Sequence, residues 1–317
     1  MNARQPKVEL ITSPYLRGQT QFLGGAVGGK PGEEKIFCIP GHFHHVLVID
    51  PKNDSTRIIG PELPGQYKWL RGVCAPSGMI YGLPCHHSHV LKIDPFTEVV
   101  TLLPLPEEIQ SLGWKYHGGT LCPIDNCIYT IPQFATRVLK IDPETDTITE
   151  VGPVIEGKYK YYGGVVGSDG AIYGICQNAA SILRIDPLCR SKANEIVTLH
   201  GNFGGGGHKW HGASVVHQGD VIIGIPCHSN YVLKIEPNFP EPIITLEGDE
   251  TVIKSGRHQP QHKYKFLGAV TDCESTAVYC IPSGAERVLR IQLVRNEVHT
   301  RDTTQPRYRA VINEVGE

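Results

Sequence analysis

The sequence predicts an all-β protein, a six-bladed β-propeller of four-stranded antiparallel blades, on three periodic landmarks. The motif Lys-aromatic-x-Gly, or a variant of it, begins at Gln21-Phe22, Lys68-Trp69, Lys115-Tyr116, Lys160-Tyr161, Lys209-Trp210 and Lys265-Phe266, with spacings of 47, 47, 45, 49 and 56 residues. A short apolar run ends at Pro40, Pro84, Pro132, Cys176, Pro226 and Pro282. A Val/Ile-Leu-x-Ile run then ends at Asp50, Asp94, Asp142, Asp186, Glu236 and Gln292, ten residues later in every copy. A unit of this length that reads as four strands is a propeller blade. β-Solenoid coils are shorter and would not hold four separate strands.

Within each unit the strands announce themselves by composition. The runs 78–83, 127–131 and 221–225 are rich in β-branched and aromatic residues. Ser77-Gly78, Asp125-Asn126, Asp169-Gly170 and Gly219-Asp220 precede them and suit tight hairpins, because these residues tolerate positive φ. Asp-Pro pairs at 50–51, 94–95, 142–143 and 186–187 start the next turn, and a fourth strand follows. Paired glycines such as Gly24-Gly25, Gly118-Gly119 and Gly163-Gly164 fall on the innermost strand, where backbones crowd an axis. The chain reads as one ring over residues 1–317. Residues 7–14 are the expected fourth strand of the last blade, with 296–301 as the rival, and 303–317 are a C-terminal tail without an assigned place.

Composition excludes several classes. A net charge of −2 with interspersed acids and bases argues against a nucleic-acid partner. Apolar runs are of strand length, so no membrane span is expected. The first residues lack the apolar segment of a signal peptide, which points to a cytoplasmic location. Ten cysteines without a Cys-x-x-Cys pair read as reduced, mostly buried thiols.

Histidine carries the functional signal. Of fifteen, twelve map to one face: His42, His44, His45, His86, His87, His89 and His228 in second-to-third strand turns, His117, His208 and His211 at first-strand starts, and His258 and His262 in the insertion before the sixth copy. Neutral imidazoles bind metals readily, so His86, His87 and His117 are the candidate ligands of a divalent metal, the one cofactor the sequence suggests. The candidate ligand-binding set is Lys68, Trp69, Lys115, Tyr116, Lys160, Lys209, Trp210, His211, His228 and Lys265. Five recurring lysines pointing into a channel mouth would attract a carboxylate or phosphate. Leaning outward, they would cover the neighbouring aromatics instead. The four-glycine run 204–207 lacks the spacing of a phosphate loop and reads as a surface link.

The unit Ile-Tyr-Gly-Ile-Pro followed by Val-Leu-x-Ile-Asp-Pro resembles the blades of the propeller superfamily that contains gluconolactonases, streptogramin lyases and NHL-repeat proteins. That resemblance implies the scaffold. Gluconolactonase-like enzymes hold a divalent metal through a Glu-Gly-Pro motif with Asn and Asp, and streptogramin lyases use His and Glu with magnesium. Neither set maps onto this chain residue by residue, and no catalytic residue is assigned. The expected function is a binding module that takes a small anionic molecule or a protein partner on its His/Lys/aromatic face. The alternative is a metal-dependent hydrolase or lyase using the same face.

Overall fold

Turn residues cut the chain into strands that assemble as six four-stranded antiparallel sheets, each a simple meander. The structure is a computed structural model and describes residues 10–11, 13–16, 18–188, 196–238, 241–253, 263–296 and 306–315. The architecture is that of a six-bladed β-propeller. Two compact units divide the chain, Met1–Ser111 and Leu112–Glu317.

The first unit holds two blades. One is β1 (Phe22–Gly28), β2 (Lys35–Pro40), β3 (Val46–Asp50) and β4 (Ser55–Ile59). The other is β5 (Trp69–Cys74), β6 (Ile80–Pro84), β7 (His89–Ile93) and β8 (Val100–Pro104). The second unit holds four blades. The third is β9 (Tyr116–Leu121), β10 (Ile128–Pro132), β11 (Val138–Asp142) and β12 (Thr147–Val151). The fourth is β13 (Tyr161–Val166), β14 (Ile172–Cys176), β15 (Ile182–Ile185) and β16 (Val197–His200). The fifth is β17 (Trp210–Val216), β18 (Val221–Pro226), β19 (Val232–Glu236) and β20 (Ile243–Glu247). The sixth is β21 (Phe266–Thr271), β22 (Ala277–Pro282), β23 (Val288–Arg295) and β24 (Tyr308–Val315).

The second strand of a blade is covered on both faces, which is why β6, β10, β14 and β18 are buried throughout and read as unbroken apolar runs. First strands of neighbouring blades pack side by side: β1 on β5 in the first unit, and β9, β13, β17 and β21 in succession in the second. A side chain at Gly24 would come within 3.0 Å of the Leu70 carbonyl, the crowding expected of an innermost strand. No helix among the described residues is long and apolar enough to cross a membrane.

The sixth blade corrects one expectation. Its fourth strand is β24, which pairs with β23 over eight residues from Val288↔Val315 to Arg295↔Tyr308. Neither the N-terminal segment 7–14 nor 296–301 supplies it. Residues 7–9, 12 and 297–301 lie outside the described set, and residues 10, 11 and 13 are not in a strand. A buried charge cluster explains the choice. Glu236, where four other copies have Asp, is fully buried and accepts the backbone N–H groups of Arg307 at 2.7 Å and Tyr308 at 3.0 Å. Buried Lys234 pairs with Glu236 at 3.2 Å and Glu247 at 3.1 Å, and donates to the Tyr308 carbonyl. An uncompensated buried charge would be costly, so this cluster demands the C-terminal strand as its partner.

Candidate functional site

Four of the five recurring lysines are buried and Lys209 is half-buried, which differs from both readings of the sequence. Lys68 Nζ donates to the carbonyls of Gly41 and Phe43, each at 2.9 Å, and of Gly65 at 3.1 Å. Lys160 Nζ reaches the carbonyls of Gln133 at 3.1 Å and Gly157 at 3.0 Å. Lys209 Nζ reaches those of Ala179 at 3.0 Å, and Gly204 and Gly206 at 2.9 Å. Lys115 donates to the Leu112 carbonyl, and Lys265 is fully buried with its backbone N–H on the Cys227 carbonyl at 3.0 Å. Gly41, Gln133 and Ala179 belong to the turn of the preceding blade, so the ammonium rivets one blade to the next. An ammonium has three protons. Those of Lys68 and Lys209 match three carbonyls each, with none left for a ligand. Burial pushes Lys68 and Lys160 down to about 8, while the carbonyls favour the charged form.

The aromatics after these lysines are core residues. Trp69 and Trp210 are buried, and their indoles donate to the carbonyls of His89 and Tyr231, both at 2.9 Å. Tyr116 is buried as well. The residues before the lysines are unusual instead: Tyr67, Trp114, Tyr159, His208 and Tyr264 all take φ of +45 to +52°. Each is held by a backbone hydrogen bond from its own blade's turn, such as His86 N–H to the Tyr67 carbonyl at 3.0 Å and Gly284 N–H to that of Tyr264 at 2.7 Å.

Most turn histidines prove to be packing pieces. His42 meets Tyr67 edge-on with ring centroids 4.4 Å apart, and His228 meets Tyr264 the same way at 4.5 Å. Phe134 does this against Tyr159 at 4.8 Å. A phenyl ring that fills the imidazole's place in the third blade identifies the position as inter-blade packing. Burial, with His208 and two lysines nearby, pushes His228 down to about 4. His87 lies over Trp69 at 4.3 Å, and its Nδ1 accepts the His89 N–H at 3.1 Å. His42, His44 and His45 also line a cleft in the first unit with Gln19, Gln21 and Phe43. His258 and His262 lie outside the described residues.

The inner strands hold a different arrangement. The landmark aromatic is followed by Leu23, Leu70, His117, Tyr162, His211 and Leu267 in the six copies. In the third, fourth and fifth blades a β-bulge covers two residues, His117-Gly118, Tyr162-Gly163 and His211-Gly212, opposite a single residue of the second strand. The glycines have φ of +93, +70 and +76°, which an L side chain resists. In the other three blades the bulge is the leucine alone, and the residue after it is not left-handed. Bulges re-aim side chains, and here they bring three rings into one stack. His117 lies 4.0 Å from Tyr162, and Tyr162 lies 3.6 Å from His211. His211 Nδ1 is 3.0 Å from the Leu267 carbonyl on β21.

This stack is uncharged near neutrality. Burial, then the adjacent His211, pushes His117 down to about 4, and burial lowers His211 too. Leu267, Val270 and Val215 leave apolar surface exposed on the adjoining strands. Sequence reasoning singled out His117 and His211 but missed Tyr162 as their bridge. The available signal was the change from Leu to His or Tyr in three consecutive copies, each followed by Gly. The expected metal set is divided between the two units, His86 and His87 in the first and His117 in the second, and among the described residues no three His, Cys, Asp or Glu side chains converge as ligands.

No protein-family model matches the chain, and no curated protein sequence matches it significantly. Solved structures share the fold. Virginiamycin B lyase from Staphylococcus aureus superposes with a TM-score of 0.61 at 13% identity, covering 94% of this chain and 85% of that one. A catalytically inactive variant of that lyase with quinupristin gives 0.61 at 14% identity, over 95% and 86%. A putative 6-phosphogluconolactonase from Bacteroides uniformis gives 0.53 at 10% identity, over 86% and 80%. At these identities the likeness is one of fold alone.

Proposed function

We propose that the protein is a small-molecule-binding propeller whose seat is the inner wall of the second unit, at His117, Tyr162 and His211. The observation that carries this is the restriction of the left-handed bulges and their stacked rings to three blades. A scaffold device would recur in all six, as the lysine rivets nearly do. Stacked rings, with Val215 exposed on the same strand as His211 and Leu267 and Val270 exposed on β21, suit a flat, largely apolar molecule. The lysines hold the blades that present this wall and do not contact the ligand. A screen of neutral aromatic fragments read by NMR shifts of the histidine rings tests the proposal. Fragments should perturb His117 and His211, and Tyr162→Ala should abolish binding while the fold is retained. Hits that bind equally to Tyr162→Ala would overturn it.

An enzymatic reading keeps one specific observation in its favour. The contact with the Leu267 carbonyl orients His211 as a base is oriented in acid–base catalysis. A lyase or hydrolase acting through His211 would lose turnover in His211→Ala and retain ligand binding in His211→Gln.

A further inference from the structure

The His211 ring is hydrogen-bonded to the Leu267 carbonyl of the neighbouring strand, and that bond fixes its polarity. The Leu267 carbonyl can only accept, so the proton must sit on Nδ1. In the neutral ring Nε2 is then a bare lone pair. Nε2 has no hydrogen-bond partner among the described residues, and neither has the Tyr162 hydroxyl. Among the described residues the groups facing His211 are the Tyr162 ring on β13, His117 on β9, the Leu267 carbonyl on β21, and His208 before its own strand. None is a carboxylate that would draw a cation or favour an imidazolium. Burial works against protonation and outweighs the backbone hydrogen bonds that favour it, with His208 adding to the burial effect, so His211 is held below the ordinary imidazole value.

We infer that the wall selects a neutral planar ligand that donates a hydrogen bond, such as a phenol, an indole or an aryl amide, and disfavours the carboxylates and phosphates that the lysines suggested from sequence. This rests on the proposed binding seat and names its ligand class. A donor on the ligand meets the Nε2 lone pair while its ring extends the stack over Tyr162. An anion meets the same lone pair without a proton to share, and the protons of Lys209, two residues away in the chain, are already held by carbonyls. A carboxylate would also lose its hydration against Leu267 and Val270 without a replacement partner.

Three probes of similar size separate the possibilities: phenol, anisole and benzoate, titrated at pH 7.5 against the full chain. Phenol should bind most tightly, with anisole weaker by about fivefold to tenfold for the lost donor and benzoate weakest. The ¹⁵N signal of His211 Nε2 should shift with phenol while Nδ1 stays protonated. His211→Phe keeps a ring in the stack and removes the acceptor, so phenol and anisole should then bind alike. Benzoate binding tightest, or a phenol advantage that persists in His211→Phe, would overturn the inference and leave the seat intact. Failure of all three probes to perturb the stack would overturn the seat itself.

Discussion

Lys209 and His211 are two residues apart, yet they belong to opposite kinds of structure. The lysine recurs in five copies, is buried or nearly so, and its protons meet carbonyls. The histidine stands where three copies have leucine, sits in a bulge of its own geometry, and leaves a ring nitrogen without a partner among the described residues. A polar group that is repeated and satisfied holds the blades together. One that is varied and unsatisfied is free to meet something else. Recurrence alone separates His228, whose Nε2 is buried without a hydrogen-bond partner among the described residues but whose place Phe134 fills in another blade, from His117, whose place is otherwise taken by leucine or by a stack partner.

If the comparison is right, changes to satisfied groups cost stability and changes to the stack do not. The largest loss should follow Glu236→Ala, which leaves buried Lys234 with Glu247 as its one carboxylate partner among the described residues and frees the start of β24. Removing one partner of a buried pair costs about 3–5 kcal/mol, and urea denaturation should show a loss of that order. A midpoint near that of the wild type would mean that the C-terminal strand is not held by this cluster.

Lys68→Met should come next. It leaves the Gly41, Phe43 and Gly65 carbonyls without their donor, at about 2–4 kcal/mol given the cost of unmade buried hydrogen bonds. Tyr162→Phe, by contrast, should leave stability within about 1 kcal/mol, because its hydroxyl has no partner among the described residues to lose. Equal losses in the two variants would dissolve the distinction between rivet and site.

A pH series sharpens the comparison. His117 and His228 are held near 4 in the folded chain against 6.5 when exposed. Between those values the unfolded chain binds more protons, so stability should be level above about pH 7 and fall as pH drops from 6.5 towards 4. Urea midpoints at pH 7.5, 6.0 and 5.0 should decline in that order, and the decline should flatten in His117→Phe/His228→Phe. A decline unchanged in the double variant would assign it to other groups. The smallest effect belongs to His228→Phe alone at pH 7.5, within about 1 kcal/mol, since Phe134 shows that the turn accepts a phenyl ring. A loss several times larger would give His228 a role beyond packing.

The sequence by itself determined the number of blades, the first strand of each and the place of every landmark lysine, because strand alternation, turn residues and a near-constant period are local properties repeated six times. It also placed His117 and His211 at the starts of inner strands. Tertiary structure decided where the lysine charges go, since part of the carbonyl set that receives them lies in the preceding blade, 25 to 30 residues away in the chain for Lys68 and Lys209, and the rest in the link just before the lysine. It decided the last strand as well: Tyr308–Val315 alternates imperfectly, with Val311 exposed, and only Glu236 and Lys234 across the blade boundary select it. The stack itself came from backbone geometry. Three left-handed glycines turn His117, Tyr162 and His211 toward one another from separate blades, and a side chain's direction at a bulge is set by φ and by the neighbouring strand, neither of which a residue type records.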